Sequence, residues 1–208
     1  LFSQEGLRGF DLMGKTIGVL GTGRIGVHVI RMAKGFGMNV IAFDAYPKED
    51  LARELGFSYV SFDELLAQSD VITMHLPYMK ETHHIINVNN VDKIKKGSVL
   101  INTARGGLVE TAALVKGLRE GILSGVGLDV LEEEGFIEDE TRLLFNAHPN
   151  EESLKTTLAN HYLIEHPHAI ISPHNAFNTI EAIKRILDTA TDNIQAFSRG
   201  EEKNIVKI

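Results

Sequence analysis

Residues 15–26 read KTIGVLGTGRIG. The first half is apolar without polar alternation, the pattern of a strand buried on both faces. The second half places glycine at 21, 23 and 26, and beyond it Ile25, Val29, Met32, Ala33 and Phe36 recur at helical spacing. A G-x-G-x-x-G run alone is a weak signal. Between a strand and a helix each glycine has a purpose: Gly21 permits a tight turn, Gly23 lets the backbone approach a bound pyrophosphate, and Gly26 lets helix and strand close on each other. The helix start beyond it, at Arg24 and Ile25, offers free N–H groups and partial positive charge to phosphates.

The same alternation continues outward. NVIAFD (39–44), DVITMHL (70–76), SVLINTA (98–104), GVGLDVL (125–131) and AIIS (169–172) read as strands. Between them lie helical segments at 47–55, with Pro47 at its start and Gly56 as its stop, at SFDELLAQ (61–68), where Ser61 and Glu64 form a capping box, at 91–96, and at 111–120. A further helix is expected near 151–164, after an acidic run EEEGFIEDE, and a long one from Ile180 to Ser198, closed by Gly200. Apolar strands separated by helices predict an α/β fold, a doubly wound parallel sheet of the Rossmann type.

Composition narrows the function. Of 208 residues 43 % are hydrophobic and 24 % charged, enough for a sizeable core. The net charge of −7 and the lack of basic stripes argue against nucleic acid as a partner. No apolar run approaches the roughly 18 residues of a membrane span. The chain has no cysteine, which removes disulfides and thiolate metal sites and suits a cytoplasmic protein. His161, His166 and His168 cluster, but without HExxH no metal site is expected. His83 and His84 read as loop residues, and His28 as the exposed side of the first helix.

In an open parallel sheet, ligands lie over the carboxyl ends of the strands. Asp44, Leu76–Pro77, Thr103–Arg105, Asp129 and His174 all fall at such ends. Asp44 suits the hydroxyls of an adenosine ribose and would repel an extra phosphate, which favours NAD over NADP. The bland alternative is a glycine turn with a strand-end aspartate capping the next helix. Arg105 carries a rigid fork matched to a carboxylate, although in isolation it reads equally as a solvated loop arginine. His174, in SPHNAF, titrates near neutral pH and suits proton transfer to a carbonyl oxygen. Glu134, in DVLEEE, could hold that imidazole in one tautomer and favour its charged form, unless Glu132, Glu133 and Glu134 are no more than a solvated acidic run.

Six motifs then coincide in order: GKTIGVLGTGRIG (14–26), FDAYP (43–47), HLPYMKETHHIIN (75–87), INTARGGLVE (101–110), GLDVLEEE (127–134) and SPHNAF (172–177). Over essentially its whole length the chain resembles the D-isomer-specific 2-hydroxyacid dehydrogenases. The resemblance implies NAD as cofactor and a small 2-keto or 2-hydroxy acid as substrate. It implies that Arg105 binds the substrate carboxylate and carbonyl, that His174 is the acid/base, and that Glu134 supports it. Gly21, Gly23, Arg24, Ile25, Gly26, Asp44, Leu76, Pro77, Thr82, Thr103, Ala104 and Asp129 would contact the cofactor.

The aromatic in HNAF and the long spacer 135–173 look like the D-lactate dehydrogenase branch. Relatives of this kind pair through their nucleotide domains, so a homodimer is expected. They also carry an N-terminal substrate domain, and this sequence is expected to begin near the hinge that follows it. The organisation expected is a dinucleotide-binding domain at 1–179, with a hinge region at 1–13, and a return segment at 180–208 belonging to the substrate domain. Such a fragment would bind cofactor and turn over poorly, since cleft closure completes the site. A cofactor-sensing corepressor on the same fold is the competing expectation, because such proteins can keep the same residues.

Overall fold

The computed structural model describes residues 9–134 and 151–205. The first part of the hinge region, most of the acidic run and much of the spacer lie outside the described residues. Seven strands form one parallel sheet in the order β3-β2-β1-β4-β5-β6-β7. They are β1 (Thr16–Leu20), β2 (Asn39–Phe43), β3 (Ser58–Tyr59), β4 (Val71–Met74), β5 (Ser98–Asn102), β6 (Leu123–Leu128) and β7 (Ala169–Ile171). The strand order reverses between β1 and β4, so the crevice at their carboxyl ends is a topological switch point. Leu20 pairs in register with both Phe43 and Met74, which sets Asp44 and His75 beside the glycine turn.

The connecting helices are α1 (Arg24–Gly35), α2 (Glu49–Leu55), α3 (Phe62–Gln68), α4 (Thr111–Arg119) and α5 (Glu151–Glu165), and α6 (Ile180–Ser198) follows β7. The core has two parts, as a sheet covered on both faces requires. One gathers Leu20, Leu65, Leu66, Ile72, Met74, Leu100 and Leu108, and the other Val19, Ile30, Ala33, Val40 and Ala42. The chain divides between Ser172 and Pro173 into two compact units. The sheet and helices α1 to α5 make the first, and α6 is the body of the second.

Three local expectations change. The stripe Ile25, Val29, Met32, Ala33, Phe36 is not the buried face of α1. Gly26, Ile30 and Ala33 face inward, while Ile25, Met32 and Phe36 are 67 %, 58 % and 62 % exposed. Small residues face the sheet because the helix lies so close to it: a Cβ at Gly26 would stand 2.0 Å from the carbonyl oxygen of Gly21. The helix expected at 91–96 is a single 3-10 turn, Val91–Lys93. Lys95 leaves it to donate its backbone N–H to Leu66 and its ammonium to Asp70, so tertiary partners override the local pattern. Strand β3, two residues long, is too short to show a period in the sequence.

Candidate active site

The glycine turn is built by contact rather than flexibility alone. Gly21 has a φ of +96°, and a Cβ there would lie 2.7 Å from the backbone oxygen of His75. Around Gly23 nothing stands within 4 Å of an added Cβ, so the backbone is open to an approaching ligand. Gly23 caps α1 with no side-chain hydrogen bond and no acidic residue in the first turn. The N–H groups of that turn are therefore left for an anion. Arg24 and Ile25, at the start of α1, are both exposed.

Asp44, one residue past β2, already has partners. Its Oδ2 accepts from the Thr22 backbone N–H at 2.7 Å and from the Thr22 hydroxyl at 2.8 Å, and its Oδ1 accepts from the Tyr46 N–H at 2.9 Å. Burial by itself raises this carboxyl. The bonds from Thr22 and Tyr46, with the charge of Lys48, together outweigh it and hold Asp44 below its ordinary value. With its hydroxyl donating to Asp44, Thr22 accepts a bond from the Tyr59 hydroxyl at 2.9 Å. The carboxylate therefore organises the glycine turn as well as facing outward from it. Thr22 escaped sequence reading because the fingerprint leaves its second position open; Tyr59 escaped because β3 did.

The Arg105 loop follows β5. Asn102, buried at the strand end, accepts from the Ala104 N–H and donates to the Arg105 carbonyl, which pins the loop at both ends. Thr103 and Arg105 are exposed, and Ala104 is half-buried. The Arg105 guanidinium donates to the Ala104 carbonyl at 2.6 Å. The two glycines after it are required by their surroundings. A Cβ on Gly106 would lie 2.1 Å from the Leu131 carbonyl oxygen, and one on Gly107 would lie 2.6 Å from the Tyr78 ring. The loop carrying Arg105 thus rests on the backbone of the loop that carries Glu134. Glu134 accepts from the Leu131 N–H at 2.8 Å.

The loop after β4 presents Leu76, 9 % exposed, and Pro77, exposed. Thr82 is buried and spends its hydroxyl inside this loop. It donates to the Pro77 carbonyl at 2.7 Å and accepts from the Met79 N–H at 2.8 Å. Asp129, 4 % exposed beyond β6, accepts from the Ser172 hydroxyl at 2.6 Å. His75 is half-buried, its backbone lies against Gly21, and burial pushes its imidazole down to about 4. Its Nε2 lies 3.0 Å from the Thr73 hydroxyl.

In the second unit, His174 has a φ of +49° and packs edge-on against Phe177, with ring centroids 6.4 Å apart. Arg105 and Glu134 belong to the first unit and His174 to the second. Of the three histidines near the end of α5, His166 accepts the His168 N–H through Nδ1. No group of three or more His, Asp or Glu fit to hold a metal occurs among the described residues. Nor does any helix among them have the length and apolarity to cross a membrane.

Residues 2–176 match the family model of the D-isomer specific 2-hydroxyacid dehydrogenase, NAD binding domain. A 2-hydroxyacid dehydrogenase homolog of Haemophilus influenzae is 39 % identical over 206 residues, 99 % of this chain and 60 % of its own. A glyoxylate reductase of Korarchaeum cryptofilum is 36 % identical over 193 residues, 93 % of this chain and 52 % of its own. Among solved structures, D-lactate dehydrogenase of Aquifex aeolicus, complexed with NAD and lactic acid, superposes with a TM-score of 0.85 at 39 % identity. That superposition covers 96 % of this chain and 58 % of the other. The chain therefore spans between 52 % and 60 % of the length of these relatives.

Proposed function

The chain belongs to the D-isomer specific 2-hydroxyacid dehydrogenase family, and from that premise we propose that it is the NAD-binding part of a cytosolic enzyme. The enzyme interconverts a 2-keto acid and a D-2-hydroxy acid, with pyruvate and D-lactate as the leading pair. The residues fit the cofactor. Gly21 and Gly26 are packed to the limit while Gly23 is open, and Asp44 stands at the end of the neighbouring strand. The N–H groups at the start of α1 would take the pyrophosphate, and Asp44 the adenosine ribose. Leu76, Pro77, Thr103, Ala104 and Asp129, just beyond the ends of β4, β5 and β6, would line the rest of its path. Thr82 shapes that wall by closing the loop after β4. When bound, the cofactor supplies or receives the hydride at the substrate C2.

The chain's own side chains carry the rest of the chemistry. Arg105 holds the substrate carboxylate and steadies the charge growing on the carbonyl oxygen. His174 gives its proton to that oxygen, or removes it in the reverse direction, and Glu134 favours the charged imidazole that donates it. The observation that carries this reading is the seating of Gly106 on Leu131, which joins the Arg105 loop to the Glu134 loop at one sheet edge. Domain limits of 1–179 and 180–208 complete the proposal, with the second segment belonging to a substrate domain.

The test joins the chain to such a substrate domain and follows NADH oxidation against pyruvate, glyoxylate and larger 2-keto acids. Turnover is expected, with Arg105→Lys lowering kcat/KM by roughly a hundredfold, since an ammonium cannot reproduce a two-pronged contact. A lysine variant as fast as the parent would remove the carboxylate role from Arg105. Complete absence of turnover with tight NADH binding would instead favour a cofactor sensor.

A further inference from the structure

Two residues before Glu134 lies a carboxylate that the proposed chemistry does not use. Glu132 is held on three sides. Its Oε2 accepts from the Thr111 backbone N–H and from the Thr111 hydroxyl, each at 2.7 Å, at the start of α4. Its Oε1 accepts from His84 Nε2 at 2.5 Å. Its backbone carbonyl accepts from Asn160 Nδ2, on α5, at 2.7 Å. Capping α4 would need only the first of these bonds. The others come from distant elements: Asn160, fully buried on α5, turns its Nδ2 toward Glu132.

His84 is itself fixed. Its φ is +48°, its N–H donates to the Gly107 carbonyl at 2.8 Å, and its ring stacks on His83 at 3.7 Å. The Glu132 and His84 side chains are 15 % and 25 % exposed, so water competes little for their bond. Through His84 the clamp reaches the Arg105 loop, and through Asn160 it reaches α5, part of the long spacer. Ser153, on α5, adds a 3.3 Å bond to Glu133. The turn Leu131–Glu134 is therefore located by Glu132.

We propose that Glu132, His84 and Asn160 are positioning residues for Glu134, and that α5 serves to hold the loop that carries it. The proposal rests on the reading of Glu134 as the carboxylate supporting His174. Support of that kind depends on distance, and a displacement of about 1 Å can cost roughly a hundredfold in rate. Bonds from three separate elements to Glu132 suit such a demand.

The test uses the full-length enzyme that contains this chain, with kcat/KM for 2-keto acid reduction measured against pH and NADH affinity measured by fluorescence. Glu134→Gln should move the alkaline fall-off of reduction to lower pH, because an imidazole without its carboxylate holds its proton less well. Glu132→Gln, His84→Leu and Asn160→Ala should move the same limb the same way, by roughly half a unit to one unit, with NADH affinity within about twofold of the parent. His84→Gln, which keeps an N–H donor, should recover most of the parent profile. If the three clamp variants lower kcat but leave the limb where it was, the clamp only stabilises the fold and the proposal falls. If Glu134→Gln itself leaves the limb in place, the underlying reading of Glu134 fails first. Should His84→Leu not fold, Glu132→Gln and Asn160→Ala carry the same readout.

Discussion

Asp44 shows how one side chain serves structure and binding together. Its three bonds to Thr22 and Tyr46 hold the glycine turn, yet a carboxylate has about four acceptor sites and retains capacity for a ribose hydroxyl. Asp44→Ala should weaken NADH binding by roughly tenfold, about 1.4 kcal/mol, and affect NADPH less, so that the preference narrows. Fluorescence titration with both cofactors reads this directly, and a parent with equal affinity for the two would contradict the role. His75 makes a different prediction. Its imidazole is lowered from 6.5 to about 4 by burial, so the unfolded chain binds the extra proton first. Stability contributed by the neutral ring is fully present above about pH 6.5 and is lost as pH falls from there toward 4. Allowing for water at its edge, the loss is on the order of 2 kcal/mol. Urea unfolding at pH 7.5 and pH 5 should show it, and His75→Asn should flatten the difference.

The elements of the fold were legible wherever a local rule sufficed. The capping box at Ser61 and Glu64 is present with both reciprocal bonds. Thr179 caps α6, which runs from Ile180 to Ser198 as the periodicity predicts. The turn at Val91–Lys93 is not legible in the local pattern because the partners that end it, Leu66 and Asp70, lie far away in sequence. At this scale the pair Gly106–Gly107 is the informative element. Gly106 does not have a positive φ, so its requirement is space, not backbone freedom. Gly106→Ala should separate the Arg105 and Glu134 loops. Unfolding measurements should show a loss of about 2–4 kcal/mol, and activity should fall much further than NADH affinity. Wild-type activity in that variant would mean the two loops need not touch.

At the scale of the whole molecule, α1 carries an exposed apolar face: Met32 on the helix and Phe36 at its C-cap, with Met13 79 % exposed on the segment packed near that end. The homodimer implied by the family resemblance would have an apolar face to bury there, worth about 25 cal/mol for each Å² removed from water. Sedimentation should find a dimer, and Met32→Glu with Phe36→Glu should convert it to a monomer that still binds NADH. A parent that sediments as a monomer would rule this face out.

Sequence alone determined the parallel α/β architecture, because buried strands and amphipathic helices have different periods and the glycine fingerprint falls between them. It also offered Asp44, Arg105 and His174 as candidates, because they fall at the carboxyl ends of strands, with Glu134 as a carboxylate that could sit opposite His174. Tertiary structure decided what those residues lean on. Thr22 under Asp44, the close fit of Gly106 on Leu131, and the His84–Glu132–Asn160 clamp all join segments distant along the chain. Their bonds depend on distances of tenths of an ångström, which no pattern of residue types records.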